Sequence, residues 1–315
     1  MSARPQHFVR GVLCTLLGAS LWGFSGACFQ LLLERYHMPV LFMTSVRMLS
    51  AGLLFLVIIL IRERSALIAI LKDWKTLGQL AIYGIFGLFL CQITYLMTIS
   101  YTNAGTATIL QCLGIVLVMI YTCTVGRRLP RIHETIGLVL AIGATFILAT
   151  HGNPLAIAMP LLGLLWGIAT GVASAFYSIY PKRLLERHSA LIITGLSMLI
   201  GGIFITVVVR PWTIPVTFEL GSATALITTI LVGSFGAFYL YIQGIADIGP
   251  MRASLLGSAE PVSATFFSWV WLGTRFPLID LVGFVMMIAM VFFVTRRNGS
   301  RQNGDGSILA LKRPK

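Results

Sequence analysis

The sequence predicts an all-α integral membrane protein, with ten transmembrane helices arranged as two inverted five-helix repeats. Three observations carry that prediction. The chain of 315 residues is 57% hydrophobic and only 10% charged, against about 25% charged in soluble domains, so it cannot cover itself with polar surface. Apolar runs of about 20 residues, the length that crosses a hydrocarbon core about 30 Å thick, recur from end to end. A short motif also returns: Gly126-Arg127-Arg128-Leu129-Pro130 is echoed, 147 positions later, by Gly273-Thr274-Arg275-Phe276-Pro277.

Backbone groups in lipid have no water to bond, so spanning segments are helices or closed barrels. Barrel strands are about ten residues long and alternate in and out. These runs are twice that length and do not alternate. The ten spans are expected at 11–33, 39–61, 76–98, 104–125, 133–150, 160–180, 190–209, 223–246, 251–272 and 278–295. The first follows Arg4, His7 and Arg10, which resemble the start of a signal peptide. Its apolar run is longer than a signal core of 7–15 residues, so it reads as an uncleaved span. The link Arg62 to Lys75 is basic and amphipathic and is expected on the membrane surface. Residues 296–315 are polar, Gly-rich and basic, and are expected to be disordered.

Lys and Arg set the orientation, because cytoplasmic loops carry them in excess. With the N-terminus inside, the outer segments hold only Arg35, Arg210 and Arg275 of the 23 Lys and Arg residues. Arg47 lies within a span, and the rest fall on the inner side. Both termini are therefore expected in the cytoplasm, with residues 1–10 as a short leader to the first span. This placement also explains the net charge of +13 without nucleic acid as a partner. The partners expected are the bilayer and a small-molecule substrate, with a proton where a carboxyl group carries one. The five cysteines lie inside apolar runs with no CxxC pair and read as small buried hydrophobes. The five histidines make no metal spacing, and neither a metal nor another cofactor is expected.

The 147-residue offset also sets Gly114 opposite Pro261, and Ile136-Gly137 opposite Val282-Gly283 with one residue of slip. The units expected are 11–150 and 158–295, five spans each. An odd number of spans makes the second copy enter from the opposite face, and such inverted repeats place a substrate site between the halves near the midplane. Small residues at every fourth position, Gly163, Gly167, Gly171 and Ala175 in the sixth span and Gly137, Ala141, Thr145 and Ala149 in the fifth, predict close helix packing.

Chemistry concentrates in a few intramembrane polar residues. Glu260 lies within the ninth apolar run, beside Pro261, which is expected to kink that helix in mid-span. Arg47 lies about 12 Å into the second span. Intramembrane charges are rare, and they pair or face a cavity. Arg47 and Glu260 are candidates to sense each other across the interface between halves. Trp22, Gln92, Tyr95, Gln111, Tyr177, Tyr239, Tyr241 and Gln243 offer hydrogen-bonding tips on bulky bodies and are candidates for a cavity wall. No GxxxxGK[ST] phosphate loop, HExxH or GxSxG is present.

Several of these stretches carry a family resemblance. Leu21-Trp22-Gly23-Phe24-Ser25, Val46-Arg47-Met48, the segment from Ile99 to Ala107, and Ala259-Glu260-Pro261-Val262 followed by Leu272-Gly273 resemble the drug/metabolite transporter superfamily, EamA type. The resemblance spans both repeats. It implies ten helices in two inverted repeats, and movement of amino acids, metabolites, nucleotide sugars or toxic compounds, often outward. Two positions depart from the family pattern: Gly114 stands where Pro is usual, and Arg127 or Arg128 and Thr274 or Arg275 stand where the turns usually carry Glu. The reading that follows is a secondary transporter in the cell (inner) membrane, an exporter and not an enzyme. The rivals are an integral-membrane enzyme acting on lipid-linked substrates and a sensor without flux.

Overall fold

A computed structural model describes residues 5–151, 153, 159–248, 253 and 256–295. Among these the secondary structure is helical, with no strand. Helix α1 (Pro5–Glu34) is followed by α2 (Val40–Arg62) and a short α3 (Arg64–Leu71). Helix α4 runs through Trp74–Ile82, a π-helical stretch Tyr83–Phe89, and Leu90–Tyr101. Helix α5 has two parts, Ala104–Gln111 and Leu113–Val125. Then come α6 (Ile132–Thr150), α7 (Leu161–Ile179) and α8 (Ala190–Val209). Helix α9 runs through Leu220–Thr228, a second π-helical stretch Thr229–Gly236, and Ala237–Ile248; α10 (Ala259–Val270) and α11 (Leu278–Thr295) close the order.

Eight helices are long and apolar enough to cross a membrane, and the chain is an integral multi-pass membrane protein. The remaining two apolar helices are shorter, α10 with 12 residues and α11 with 18. Helix α1 begins at Pro5, so the expected ten-residue leader is largely part of the first helix. The helix at Arg64–Leu71 lies within the link expected on the membrane surface. Asp73 ends that link and caps α4, accepting from the Lys75 backbone at 3.0 Å and from Thr76 Oγ1 at 2.6 Å. These bonds, that from Thr76 first, hold its carboxyl below the usual carboxylate range. The tail 296–315, with its expected disorder, lies outside the described residues.

The expectation at Pro261 is corrected. A turn at Ser258 interrupts the ninth run, and α10 starts at Ala259, so Pro261 sits in the first turn of a helix and not in mid-span. There its missing N–H costs nothing, because first-turn donors have no intrahelical partner. Helix α5 breaks in the same way at Cys112, 146 positions earlier. The π-helical stretches of α4 and α9 likewise start 146 positions apart, at Tyr83 and Thr229. Two irregularities of helix geometry thus recur within one residue of the offset of the repeated motif.

Packing follows the same correspondence. Helix α2 packs on α8, α6 on α11, and α5 on α10. Helix α1 packs on α9 and α10, as α7 packs on α4 and α5. Small residues make these approaches possible. A Cβ at Gly202 would stand 2.7 Å from the Leu49 backbone nitrogen, and one at Gly201 2.5 Å from the Gly84 carbonyl oxygen. In the sixth-span ridge, Gly163 meets Thr102 and Tyr101, Gly167 meets Leu110, and Gly171 meets Leu113. With lipid outside, close contact of this kind holds the bundle together, since apolar side chains gain little by leaving hydrocarbon.

Candidate functional site

A cavity of about 300 Å³ lies among α1, α2, α4, α5, α7, α9, α10 and α11. Trp22, Arg47, Gln92, Tyr95, Gln111, Tyr177 and Glu260 all line it. Seven side chains scattered over 239 positions of sequence thus share one wall. Tyr239 does not join them. It is 44% exposed on the outside of α9, and the Arg62 guanidinium lies over its ring at 5.9 Å. Tyr241, two residues on, takes the cavity-facing position. Gln243 instead donates to Asp247 at 3.3 Å.

Arg47 is buried and held by two hydrogen bonds and a ring. Its Nε donates to Ser234 Oγ at 2.8 Å and its Nη1 to Gln92 Oε1 at 2.6 Å, and the guanidinium lies 4.7 Å from the centre of the Phe29 ring. Both hydrogen-bond partners come from the helices with π-helical turns. Ser234 lies within the π-helical stretch of α9, where its hydroxyl donates to the Thr229 carbonyl five residues back at 3.2 Å. That leaves its lone pair for Arg47. Gln92 follows the π-helical stretch of α4 by three residues. Such stretches are frequent at functional sites because one extra residue in the turn re-aims a side chain.

Glu260 is the opposite case. Its side chain faces the cavity from the first turn of α10, and among the described residues its carboxyl makes neither an ion pair nor a hydrogen bond. The expected partnership with Arg47 is therefore not a direct contact. The two charged groups face the same space, one tied down by neutral amide and hydroxyl groups, the other open to whatever enters. The positive end of the α10 dipole favours a negative charge at that position.

Aromatic residues make up much of the lining. Trp22 packs against Phe238 at 4.9 Å edge to face and against Tyr241 at 4.8 Å, and Tyr177 stacks on Tyr83 at 5.7 Å. Tyr95 is fixed by its hydroxyl, 2.9 Å from Thr108 Oγ1. The sequence reading did not single out Ser25, Phe29, Ser174, Ser178, Phe238 or Ser234. Hydroxyls and phenyl rings in apolar runs carry no signal until neighbours are known. Cys91 and Cys112, read as plain hydrophobes, also line the cavity, and Gln111 Nε2 donates to Cys91 Sγ at 3.4 Å.

The sequence model of the EamA-like transporter family matches residues 9–150 and again residues 161–296. The chain belongs to the EamA-like transporter family. Among its relatives, the "uncharacterized inner membrane transporter YicL" of Salmonella typhimurium is 33% identical over 91% of this chain and 95% of that protein. An uncharacterized transporter of Archaeoglobus fulgidus is 23% identical over 89% and 97%, and YetK of Bacillus subtilis, also an uncharacterized transporter, 25% over 86% and 82%. A solved crystal structure shares the fold with a TM-score of 0.61 at 15% identity, covering 93% of this chain and 97% of that one. The two family matches meet at residues 150 and 161, between α6 and α7. The cavity of this EamA-like protein therefore takes walls from both matched segments.

Proposed function

We propose that this EamA-like protein is a secondary transporter in the cell (inner) membrane that exports a small organic solute by alternating access between its two halves. The observation that carries the reading is the carboxyl of Glu260, which has no hydrogen-bond or ion-pair partner among the described residues and faces a cavity built from both halves. An intramembrane acid is costly, so one left without a protein partner serves a ligand. Glu260 binds either a cationic part of the solute or a proton. The aromatic wall supplies apolar surface, and Gln92, Gln111 and Tyr241 supply orienting hydrogen bonds, as a site for a small amphipathic molecule requires.

The halves are residues 11–150 and 158–295, each with five crossings, related by an inversion across the membrane plane. The recurrence of π-helical turns, of helix breaks and of packing partners at one offset supports that arrangement. Inversion gives two mirror-related conformations of comparable energy, the physical basis of alternating access. The basic residues on one side support cytoplasmic termini. The printed name of the Salmonella relative supports the inner membrane.

The test is flux in proteoliposomes under an imposed pH gradient. A gradient drives uptake of the solute by the wild type, and Glu260→Gln abolishes the response. A Glu260→Gln protein that still responds fully to the gradient rules out Glu260 as the proton carrier.

A further inference from the structure

On the orientation proposed above, the cavity is closed on the outer side by a packed cluster that includes Phe29, Leu32, Tyr95 and Ile99, and Gln30 of α1 is the amide that ties this side together. The residues lining the cavity on α7, α9 and α10 (Ser174 to Ser178, Phe238 to Tyr241, and Gly257 to Pro261) lie toward the ends of these helices that join the inner loops. At the other end, the lining stops at Phe29, Tyr95 and Thr108. Gln30 follows directly and is 1% exposed. Its Oε1 accepts from the Ala104 backbone N–H and from Ser268 Oγ, both at 3.0 Å. Its Nε2 donates to Thr274 Oγ1 at 2.9 Å and to Glu34 Oε1 at 2.8 Å. Two lone pairs and two N–H groups are thereby all used, the full capacity of an amide.

These partners belong to different moving parts. Ala104 is the first residue of α5, in the first half. Ser268 is on α10 and Thr274 in the turn beyond it, both in the second half. Gly273, at φ +69°, makes the turn that folds Thr274 back over Ser268, whose carbonyl accepts from the Thr274 N–H at 3.0 Å. Helix α10, which starts at Ala259 and presents Glu260 to the cavity, thus has its far end fastened to α1 through Gln30. Helices α1, α5 and α10 cannot separate on the outer side while these bonds stand.

We infer that Gln30 is the positioning residue that latches the outer side of the cavity shut, and that outward opening requires its three hydrogen bonds to Ala104, Ser268 and Thr274 to break. The inference rests on the transport reading for what opens, but its test is separable. Cys91 and Cys112 line the cavity, so a membrane-impermeant methanethiosulfonate reagent reports access from each side of sealed vesicles, with the modified peptides identified by mass spectrometry. The informative variant is Gln30→Met, which keeps the length and packing of the side chain and loses the hydrogen bonds. Thr274→Val removes one bond and serves as a milder variant should Gln30→Met fold poorly.

In the wild type, both cysteines react from the cytoplasmic side and are protected from the outer side. In Gln30→Met, reaction from the outer side rises at least tenfold, with a smaller rise in Thr274→Val. Unchanged protection from outside in both folded variants, with inner access intact, overturns the latch and leaves the transport reading standing. Wild-type cysteines that react from the outer side, or from neither side, overturn the inward-facing cavity on which both depend.

Discussion

Arg47 holds three helices at one point, since its guanidinium binds Ser234 on α9 and Gln92 on α4 from its own place on α2. Hydrogen bonds to a charged group are worth about 1.5–3 kcal/mol each. Replacement by methionine keeps the contact with Phe29 and loses both bonds, about 3–6 kcal/mol together, but no longer buries a charge, so Arg47→Met is expected to destabilise the protein by about 2–4 kcal/mol. A fall in the unfolding midpoint in detergent checks this. Glu260 makes no ion pair with Arg47, but two opposite charges facing one buried cavity attract through space. The stability effects of Arg47→Gln and Glu260→Gln are therefore expected to be non-additive in the double variant, and simple additivity would show that the coupling is absent. Intramembrane polar residues were legible in the sequence because charge in an apolar run is costly. Which groups they bind was not, because Ser234 lies 187 positions from Arg47. Tyr239 and Tyr241 could not be told apart either, since α9 passes through a π-helical stretch just before them, and the extra residue rotates the face that a regular period would assign.

Helices α2 and α8 meet through glycines at the centre of the molecule. Gly52 packs against Leu199 and Gly202 against Leu49. A side chain at Gly202 must displace backbone, not the end of a flexible chain. Gly202→Val is expected to cost about 1–3 kcal/mol through overpacking and to loosen the α2/α8 contact. Gly78, where an added Cβ meets nothing within 4 Å, is the control; Gly78→Ala leaves the unfolding midpoint unchanged or raises it slightly. A wild-type midpoint for Gly202→Val contradicts the packing account. Helix existence was readable from hydropathy, and span limits agree within a few residues along most of the chain. The π-helical stretches and the breaks at Cys112 and Ser258 were not readable. Each is a local change in turn geometry that hydropathy averages away. Pro261 was the visible clue to one of them, but proline alone does not say whether it bends a helix or starts one.

At the scale of the whole molecule, two matched segments enclose one cavity, and the helices of each half pack on those of the other in corresponding pairs. The repeated motif 147 positions apart announced this organisation. The cavity itself came only with the packing, because its wall gathers residues from eight helices. The central claim is that a solute passes through that cavity and meets Glu260 on the way. Counterflow of labelled amino acids in proteoliposomes, comparing the wild type with Glu260→Gln and with Ser178→Trp, which fills the space near Tyr177, tests it most directly. The account predicts saturable exchange by the wild type, altered by Glu260→Gln and reduced at least tenfold by Ser178→Trp; exchange that persists unchanged in both folded variants would contradict it.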